Sequence, residues 1–381
     1  MVTDVSNWNV TSFVKLRTLA RDIFSNIDYP LLILLLALSC LSLIILYSSG
    51  GQGTELLWKQ GWRLAIGFVG FIIFASVPLI VYRRWAWLLY AAGLILLIFV
   101  LIVGEVGRGS QRWLNLWLLT FQPSEILKFA VPLFLCKIFA SHENHPPSLS
   151  SILLALVAVS IPVVLVIKQP DLGTSVLICI SAAWVIFLAG IRWSWILLFV
   201  VLLASMSVPI WESLHEYQRQ RVIVFLNPEN YLAQGGYHIY QSKVAIGSGG
   251  LWGKGWLNGT QSHLGFVPEH STDFVFSVFA EEFGFIGCCL LILIYLAIIV
   301  RGIIITLNAA DYFGRLLAGS LTFSFATYFF ISVAMVSGLL PVVGVPLPLV
   351  SYGGSSVVSV LASFGMLISV LRYRPMMSQR L

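Results

Sequence analysis

The chain has 381 residues, of which 59% are hydrophobic and only 10% are charged, and its mean hydropathy is +0.93. This composition excludes an ordinary soluble fold and is typical of a bundle of membrane helices. The net charge of +6 comes from basic residues scattered between apolar segments, so no nucleic acid is expected as a partner. The five cysteines all lie in apolar segments, which favours buried side chains over disulfides or a zinc site.

Apolar runs long enough to cross a bilayer recur along almost the whole chain. The segment 1–29 is polar and suits a cytoplasmic or interfacial helix, and no cleavable signal peptide is visible. Residues 30–381 are predicted to form a single transmembrane domain, so the predicted fold class is an all-α polytopic membrane protein. About ten transmembrane helices are expected, near residues 30–49, 61–82, 85–104, 124–141, 149–167, 172–190, 193–211, 273–300, 313–338 and 350–371.

The basic residues predict the orientation of these helices. If the N-terminus is inside, the cytoplasmic segments hold twelve Lys and Arg residues and the short outer loops hold five, as the positive-inside rule requires. Both termini are then cytoplasmic, and the long polar loop at about 212–272, between the seventh and eighth helices, is extracytoplasmic. Long loops are usually functional, so the site is expected on the outer face. The proline- and glycine-rich loop near 341–356 is expected to re-enter the membrane against other helices.

Asp273 opens the eighth predicted span at its outer mouth. An Asp in a first helical turn commonly caps backbone amides, and this structural role is one interpretation. The other is functional, because Glu281 and Glu282 continue into the same apolar helix and intramembrane carboxylates are costly enough to indicate a polar interior. On an unbroken helix Asp273 and Glu281 could both face one cavity without touching.

Glu125 and Lys128 are three residues apart and are therefore neighbours on one helix face, just inside the fourth span. A buried ion pair and a functional role are both compatible with this spacing. Upstream, Arg112 and Trp113 suit an interfacial anchor, although Arg also binds phosphate through its fork of donors. Asp171 is expected to cap the next helix.

The glycine-rich run from Gly235 to Gln261, which includes Lys243 and Lys254, suits a surface that wraps a polar or sugar ligand. It fits neither a Walker phosphate loop nor a dinucleotide fingerprint. The chain has no HExxH motif and no nucleophile elbow, so zinc hydrolase and serine esterase functions have little support. From the residues alone, an outer-facing site with a carboxylate and nearby cations suits an anionic, lipid-linked substrate, in an enzyme or a transporter.

Several blocks of sequence together resemble the SEDS family, which contains RodA, FtsW and sporulation homologues: GSQRWL, QPSEILK, KQPDLGTS, RQRVIVFLNPE, GYHIYQSKVAIGSGGLWGKGW, PEHSTDFVFSVFAEEFGFIG and PLPLVSYGGSS. The resemblance covers nearly the whole chain from the first span. Gly259, Thr260 and Gln261, with the short N-terminus, are more similar to the RodA branch. Ser271 stands where the family frequently has His.

The resemblance implies a peptidoglycan glycosyltransferase of the bacterial cytoplasmic (inner) membrane, which polymerises lipid II at the outer face for cell elongation and shape. It implies a class B penicillin-binding protein as transpeptidase partner, along with other cell-elongation membrane proteins. The family's catalytic aspartate matches Asp273, and its paired acid and base match Glu125 and Lys128. The substrate-binding residues expected from the matched blocks and their surroundings are Arg112, Trp113, Gln122, Glu125, Lys128, Lys243 and Ser351.

The chemistry implied by this resemblance needs one general base. The acceptor sugar hydroxyl loses a proton as it attacks the donor's anomeric carbon, and a carboxylate suits that role. The donor bond is α and the product β, so one in-line displacement suffices without a second nucleophilic carboxylate. Arg112, Lys128, Lys243 or a divalent cation such as magnesium or manganese could stabilise the departing diphosphate. The competing hypotheses are a lipid II flippase and a scaffold that activates the penicillin-binding protein.

Overall fold

A computed structural model describes residues 27–51, 53–107, 110–115, 120–141, 146–214, 216–234, 236–260 and 271–373, and these are almost entirely helical. The short strands β1 (Glu105–Gly107), β2 (Ser110–Asn115) and β3 (Thr120–Phe121) form antiparallel pairs in the order β1-β2-β3. A 3-10 helix occupies Pro228–Gln234. The α-helices are α1 (Tyr29–Ser49), α2 (Thr54–Ser76), α3 (Leu79–Val103), α4 (Ser124–Ser141), α5 (Leu149–Lys168), α6 (Leu172–Leu188), α7 (Trp193–Ser205), α8 (Ser207–Ser213), α9 (Glu216–Leu226), α10 (Gly236–Ser248), α11 (Val275–Leu307), α12 (Tyr312–Val336) and α13 (Ser355–Arg372).

Helices of membrane-spanning length confirm the polytopic class. Among the described residues, seven helices are able to cross a membrane by length and composition: α1, α2, α3, α5, α11, α12 and α13. Helices α6 and α7 are apolar but shorter. Helix α4 is continuous but carries three charged residues, Glu125, Lys128 and Lys137. Each predicted span overlaps one of these helices.

The boundary between the second and third predicted spans is wrong by several residues. The polar pair Arg83 and Arg84 suggested a loop there, but both lie within α3, and the break falls at Val77 and Pro78. Pro78 has no N–H to donate to the helix, and it forces the preceding residue out of the helical region. Val77 accordingly has φ −71° and ψ 125°. Proline chemistry therefore sets this boundary more strongly than charge does.

Two other expectations need adjustment. The predicted span 193–211 is divided at Met206 into α7 and α8. The stretch 212–272 contains α9, the 3-10 helix and α10, so much of it is folded. The segment 1–26, predicted to hold an interfacial helix, lies outside the described residues, as do residues 261–270.

The core of the bundle is centred on α12, which packs against α4, α6, α11 and α13. Helix α2 lies along α13, where Gly365 permits close approach because a Cβ there would meet the backbone oxygen of Phe71 at 2.5 Å. Helix α7, in contrast, buries none of its side chains. The ends of α4, α6, α11 and α12 near Ser124, Leu172, Val275 and Val336 converge on the non-helical segment 338–354, called the connecting segment below.

Candidate active site

The connecting segment between α12 and α13 is largely buried among the helices from Val345 onwards, whereas Leu339, Leu340 and Gly344 are exposed. Its backbone carbonyls take hydrogen bonds from other helices: the Tyr295 hydroxyl donates to the Pro348 oxygen at 2.5 Å, and the Ser42 hydroxyl donates to the Val350 oxygen at 2.9 Å. Leu349 has a φ of +64°, which a non-glycine residue adopts only when its surroundings enforce it. Hydrogen bonds from α1 and α11 therefore anchor the backbone of this segment.

Asp273 lies in the turn 271–274, directly before α11, and beside the connecting segment. A Cβ placed on Gly344 would lie 3.6 Å from its Oδ2 atom, and the Tyr352 amide donates to the Ser271 oxygen at 2.9 Å. Helix α11 begins at Val275 with Phe274 as its N-cap residue. Asp273 thus precedes the helix, with one of its carboxylate oxygens facing the backbone of the connecting segment.

Glu125 and Lys128 form a buried ion pair on α4, with Nζ and Oε1 2.6 Å apart. The other carboxylate oxygen of Glu125 accepts a hydrogen bond of 2.8 Å from the hydroxyl of Ser359 on α13. The Lys128 ammonium lies 5.7 Å from the ring centroid of Tyr328 on α12. This geometry is compatible with both interpretations of the spacing, a buried ion pair and a functional role.

Two small cavities meet at Lys128 and Tyr328. One lies under the connecting segment and is lined by Glu125, Lys128, Leu177, Tyr328, Val345, Pro346, Leu347, Pro348, Leu349, Ser351, Ser356, Val357 and Val360. The other lies between α12 and α13 and is lined by Lys128, Leu321, Ser324, Phe325, Tyr328, Ser359, Val360, Ser363, Phe364 and Leu367. The connecting segment consequently contacts Asp273 through Gly344 and covers the Glu125–Lys128 pair through its next residues.

Arg112 and Gln122 meet at Asp171, at the start of α6. The Asp171 Oδ2 atom lies 3.3 Å from the Arg112 guanidinium and accepts a hydrogen bond of 2.8 Å from the Gln122 amide. Its Oδ1 atom accepts from the Thr174 amide at 3.1 Å, which confirms the predicted cap. A Cβ on Gly173 would lie 2.5 Å from the Val343 oxygen, so this cluster touches the connecting segment as well.

The remaining predicted site residues lie around this centre. Lys243 on α10 crosses the end of α12, where a Cβ on Gly338 would collide with the lysine side chain. The Ser351 hydroxyl accepts a hydrogen bond of 2.8 Å from the Leu347 amide, so it stabilises a turn of the connecting segment. Trp113 lies on β2 opposite Glu105 and is half-buried.

Glu281 and Glu282 are both fully buried on α11. Glu281 accepts hydrogen bonds from Lys254 at 2.6 Å and from the Thr260 hydroxyl at 3.1 Å, and Glu282 accepts one from the Ser48 hydroxyl. The expectation that Asp273 and Glu281 could face one cavity assumed helix from 273 onwards, whereas the helix begins at Val275. The Glu281 carboxylate is bound to Lys254.

Comparison with known proteins places this arrangement in a family. The family model of FtsW, RodA and SpoVE, described as a cell cycle protein, matches residues 24–375. The chain belongs to this family. The peptidoglycan glycosyltransferase MrdB of Escherichia coli K12 is 46% identical over 93% of this chain and 96% of its own length. Stage V sporulation protein E of Bacillus subtilis is 32% identical over 91% and 97%.

Solved structures show the same FtsW, RodA and SpoVE fold. A chain from a structure of a peptidoglycan synthase complex, described as coordinating polymerization and crosslinking, has a TM-score of 0.80 and 30% identity, covering 91% of this chain and 99% of that one. RodA of Thermus thermophilus has a TM-score of 0.69 and 27% identity, over 91% of this chain and 98% of that one. The family resemblance inferred from motifs is thus confirmed at the level of fold.

Sequence reasoning missed Ser359 and Tyr328 in this family member, and it placed Lys254 on a predicted ligand surface without predicting its pairing with Glu281. Ser359 carries a usable signal, because Ser355, Ser359 and Ser363 recur every four residues and so lie on one face of an apolar helix. Tyr328 and Lys254 carry no comparable signal, since their partners lie far away in sequence.

Proposed function

We propose that this chain is a peptidoglycan glycosyltransferase that polymerises lipid II into glycan strands for cell elongation and shape. The observation that carries the proposal is the 46% identity to the peptidoglycan glycosyltransferase MrdB, over 93% of this chain and 96% of that protein. Because 96% of that relative's length is matched, the unmatched remainder is too short to form a separate active domain. The buried polar centre around Asp273 and Glu125 supports an enzymatic role within the membrane domain.

The proposed setting is the bacterial cytoplasmic membrane, crossed about ten times by the single domain 30–381. Both termini lie inside, and the loop 212–272 and the site face outward. The distribution of basic residues supports this orientation. Arg83 and Arg301 lie at the end of the bundle away from Asp273, where Arg301 pairs with Asp28 at 2.5 Å and Arg83 donates to the Ala140 oxygen at 3.3 Å.

Asp273 is the proposed general base. Its position beside the backbone of the connecting segment, at the end of the bundle where α6 and α11 begin, supports access by a sugar hydroxyl from the outer surface. As the acceptor hydroxyl attacks the anomeric carbon, the carboxylate accepts its proton and the diphosphate leaves from the opposite face. This single displacement converts the α-linked donor into a β-linked product.

Cationic groups near the connecting segment are proposed to stabilise the diphosphate. Lys128 is held by Glu125, and Arg112 is held by Asp171, so each cation is oriented before substrate binds. Lys243 projects from α10 across Gly338 and is the most exposed of the three. Trp113, Gln122 and Ser351 are proposed to shape the same substrate surface.

A divalent cation is a further proposed contributor. Among the residues that the structure describes, no three His, Cys, Asp or Glu side chains are grouped closely enough to hold a metal ion. Magnesium commonly binds through one or two carboxylates together with substrate phosphates, so a cation would need the diphosphate as a ligand. Activity measured in EDTA and after adding back magnesium or manganese tests this requirement.

The proposed partner is a class B penicillin-binding protein, which would crosslink the strands as they are made. The structural relative from a peptidoglycan synthase complex supports this proposal, because that complex is described as coordinating polymerization with crosslinking. Other membrane proteins of cell elongation are proposed to join the assembly. Co-purification of the two proteins from membranes tests the pairing.

The deciding experiment supplies lipid II in detergent to the purified chain together with its penicillin-binding partner. Wild type is expected to make polymer, and Asp273→Asn is expected to make none while it still folds and binds the partner. Asp311→Asn is a matched control, because Asp311 caps α12 by accepting the Gly314 amide at 3.1 Å, and Asn caps equally well. This control is expected to retain full activity.

Three results would contradict the proposal in different ways. Normal polymer from Asp273→Asn would remove Asp273 from the mechanism. Transfer of lipid II across vesicles by wild type, without polymer, would favour the flippase. Stimulation of the penicillin-binding protein alone would favour the scaffold. The ion pair of Glu281 with Lys254 weighs against a flippase, since it compensates the charge of one carboxylate in the polar path such a protein would need.

A further inference from the structure

Helix α11 contains a sharp break at Gly284, where φ is +65° and ψ is −164°. The break separates residues 275–283, which follow Asp273 directly, from residues 285–307. In an unbroken helix the amides of Phe285 and Ile286 would donate to the carbonyls of Glu281 and Glu282. At the break these four backbone groups lose each other as partners, and unpaired backbone groups are costly in an apolar environment.

The loop 249–255, called the glycine loop below, replaces both lost hydrogen bonds with four new ones. Two of its amides donate to the freed carbonyls, and two of its carbonyls accept from the freed amides. The four bonds are Lys254 N to Glu281 O at 3.0 Å, Gly255 N to Glu282 O at 3.0 Å, Phe285 N to Gly250 O at 2.9 Å and Ile286 N to Leu251 O at 3.2 Å. The glycine loop is therefore inserted into the break and completes its backbone bonding.

The glycines of this loop are required by the close approach of the two backbones. A Cβ on Gly249 would collide with the Ala280 oxygen, and a Cβ on Gly253 would collide with the Glu282 oxygen. Gly253 also has a φ of +80°, a conformation that side chains disfavour. The glycine-rich run, which the sequence suggested as a ligand surface, here serves to dock one backbone against another.

One side-chain ion pair also joins the glycine loop to α11. The Lys254 ammonium lies 2.6 Å from Oε1 of Glu281, whose side chain is 0% exposed, and it also donates to the Thr260 hydroxyl at 2.7 Å. A buried carboxylate that loses its cation is strongly destabilising. Lys254 therefore ties the glycine loop to the short helical segment that begins beside Asp273.

We propose that Lys254 and Glu281 are positioning residues that set the location of Asp273, an inference that rests on the proposed glycosyltransferase function. Residues 275–283 form a short rigid rod, and its junction with the rest of α11 is a single glycine with non-helical geometry. The ion pair and the four backbone bonds fix the far end of that rod. Misplacement of a catalytic group by about 1 Å costs roughly a hundredfold in rate, so a small tilt of the rod suffices to impair catalysis.

The test measures kcat and KM for lipid II polymerisation by the full chain with its partner. Lys254→Met and Glu281→Gln are expected to lower kcat by about tenfold or more, with KM for lipid II changed by less than about twofold. Lys254→Arg keeps the charge and is therefore expected to retain most of the wild-type kcat. Lys59→Met is the matched control, because Lys59 forms an exposed ion pair with Glu55 on α2, and its kinetics are expected to equal those of wild type.

Hydrogen exchange of peptides covering 281–286 gives a readout independent of activity, and faster exchange is expected in Lys254→Met. A folded Lys254→Met with wild-type kcat would overturn the inference, as would an equal loss in Lys254→Arg. A rise in KM at constant kcat would also overturn it, since it would mean that Lys254 contacts substrate. If Lys254→Met does not fold, Glu281→Gln decides the matter by the same criteria. Absence of polymer from wild type would instead contradict the proposed function.

Discussion

The Ser359 hydroxyl on α13 donates a hydrogen bond of 2.8 Å to Oε2 of Glu125 on α4, across 234 residues of sequence. Glu125 uses its other oxygen to hold Lys128. The serine therefore fixes the orientation of the carboxylate that orients the lysine. In a buried site, a hydrogen bond to a charged group contributes about 1.5–3 kcal/mol.

Ser359→Ala is expected to lower the rate of lipid II polymerisation by about tenfold, because the Glu125 carboxylate and the Lys128 ammonium that it orients are then less precisely positioned. Ser363→Ala is the matched control, because the Ser363 hydroxyl lines the same cavity but donates only to the backbone oxygen of Ser359 at 2.8 Å. It is expected to keep the wild-type rate. Equal rates for the two variants would contradict the role given to Ser359.

The ion pair of Glu125 and Lys128 predicts that single and double variants differ in thermal stability, even where all of them are inactive. Removing one partner leaves a buried charge uncompensated, which costs about 3–5 kcal/mol. Glu125→Gln and Lys128→Met are each expected to lower the thermal unfolding temperature in detergent. The double variant is expected to recover part of that loss and to remain inactive. A double variant less stable than either single variant would show that the pair does not compensate its own burial.

A side chain at position 344 is expected to strain the backbone beside Asp273. The φ of +75° at Gly344 places it in the left-handed region, where a residue with a Cβ is disfavoured by roughly 1–2 kcal/mol. Gly344→Ala is expected to lower the rate of polymerisation clearly while it lowers the unfolding temperature only slightly. The reason is that the connecting segment relaxes where it contacts Asp273. Gly70→Ala on α2 is the control, since the nearest heavy atom is 3.9 Å from its new Cβ. Unchanged activity in Gly344→Ala would contradict the prediction.

Two substitutions of Asp171 distinguish its role as the cap of α6 from its role as the charge partner of Arg112. Asp171→Ala removes the bond to the Thr174 amide and the partner of Arg112, so a loss of about 1–2 kcal/mol in stability is expected from the cap alone. Asp171→Asn keeps the cap and is expected to retain most of the stability while weakening the hold on Arg112. Thermal unfolding and KM for lipid II measure the two effects separately. Identical behaviour of both variants would contradict the prediction, because it would show that the lost carboxylate charge accounts for the whole effect and that the cap contributes nothing.

Much of the helical architecture follows from the sequence, because a run of some twenty apolar residues has few alternatives in a bilayer. The boundary at Pro78 was predictable from proline chemistry but was assigned from charge instead. The break at Gly284 was not predictable in this way, because the apolar run continues through it and only the glycine loop, some thirty residues upstream, shows why the helix yields there.

The candidate site was predictable only in part. Spacing alone paired Glu125 with Lys128, because three residues along a helix bring side chains together. Asp273 was singled out by its place at a span and by motif resemblance. Its neighbour Gly344 and the contacts of Ser359 and Lys254 depend on tertiary packing, which no local period encodes. The same holds for Arg112, whose partner Asp171 follows two intervening helices.

The break at Gly284 has a consequence for how the protein enters the membrane. The carbonyls of Glu281 and Glu282 and the amides of Phe285 and Ile286 can satisfy one another in a straight helix, or can be satisfied by the glycine loop. The segment can therefore leave the translocon as a continuous helix with no orphaned backbone group. The glycine loop precedes this helix in the chain and is already synthesised when the helix emerges. Bending at Gly284 therefore needs no residue made after this helix, because the glycine loop that supplies the four replacement bonds comes earlier in the chain.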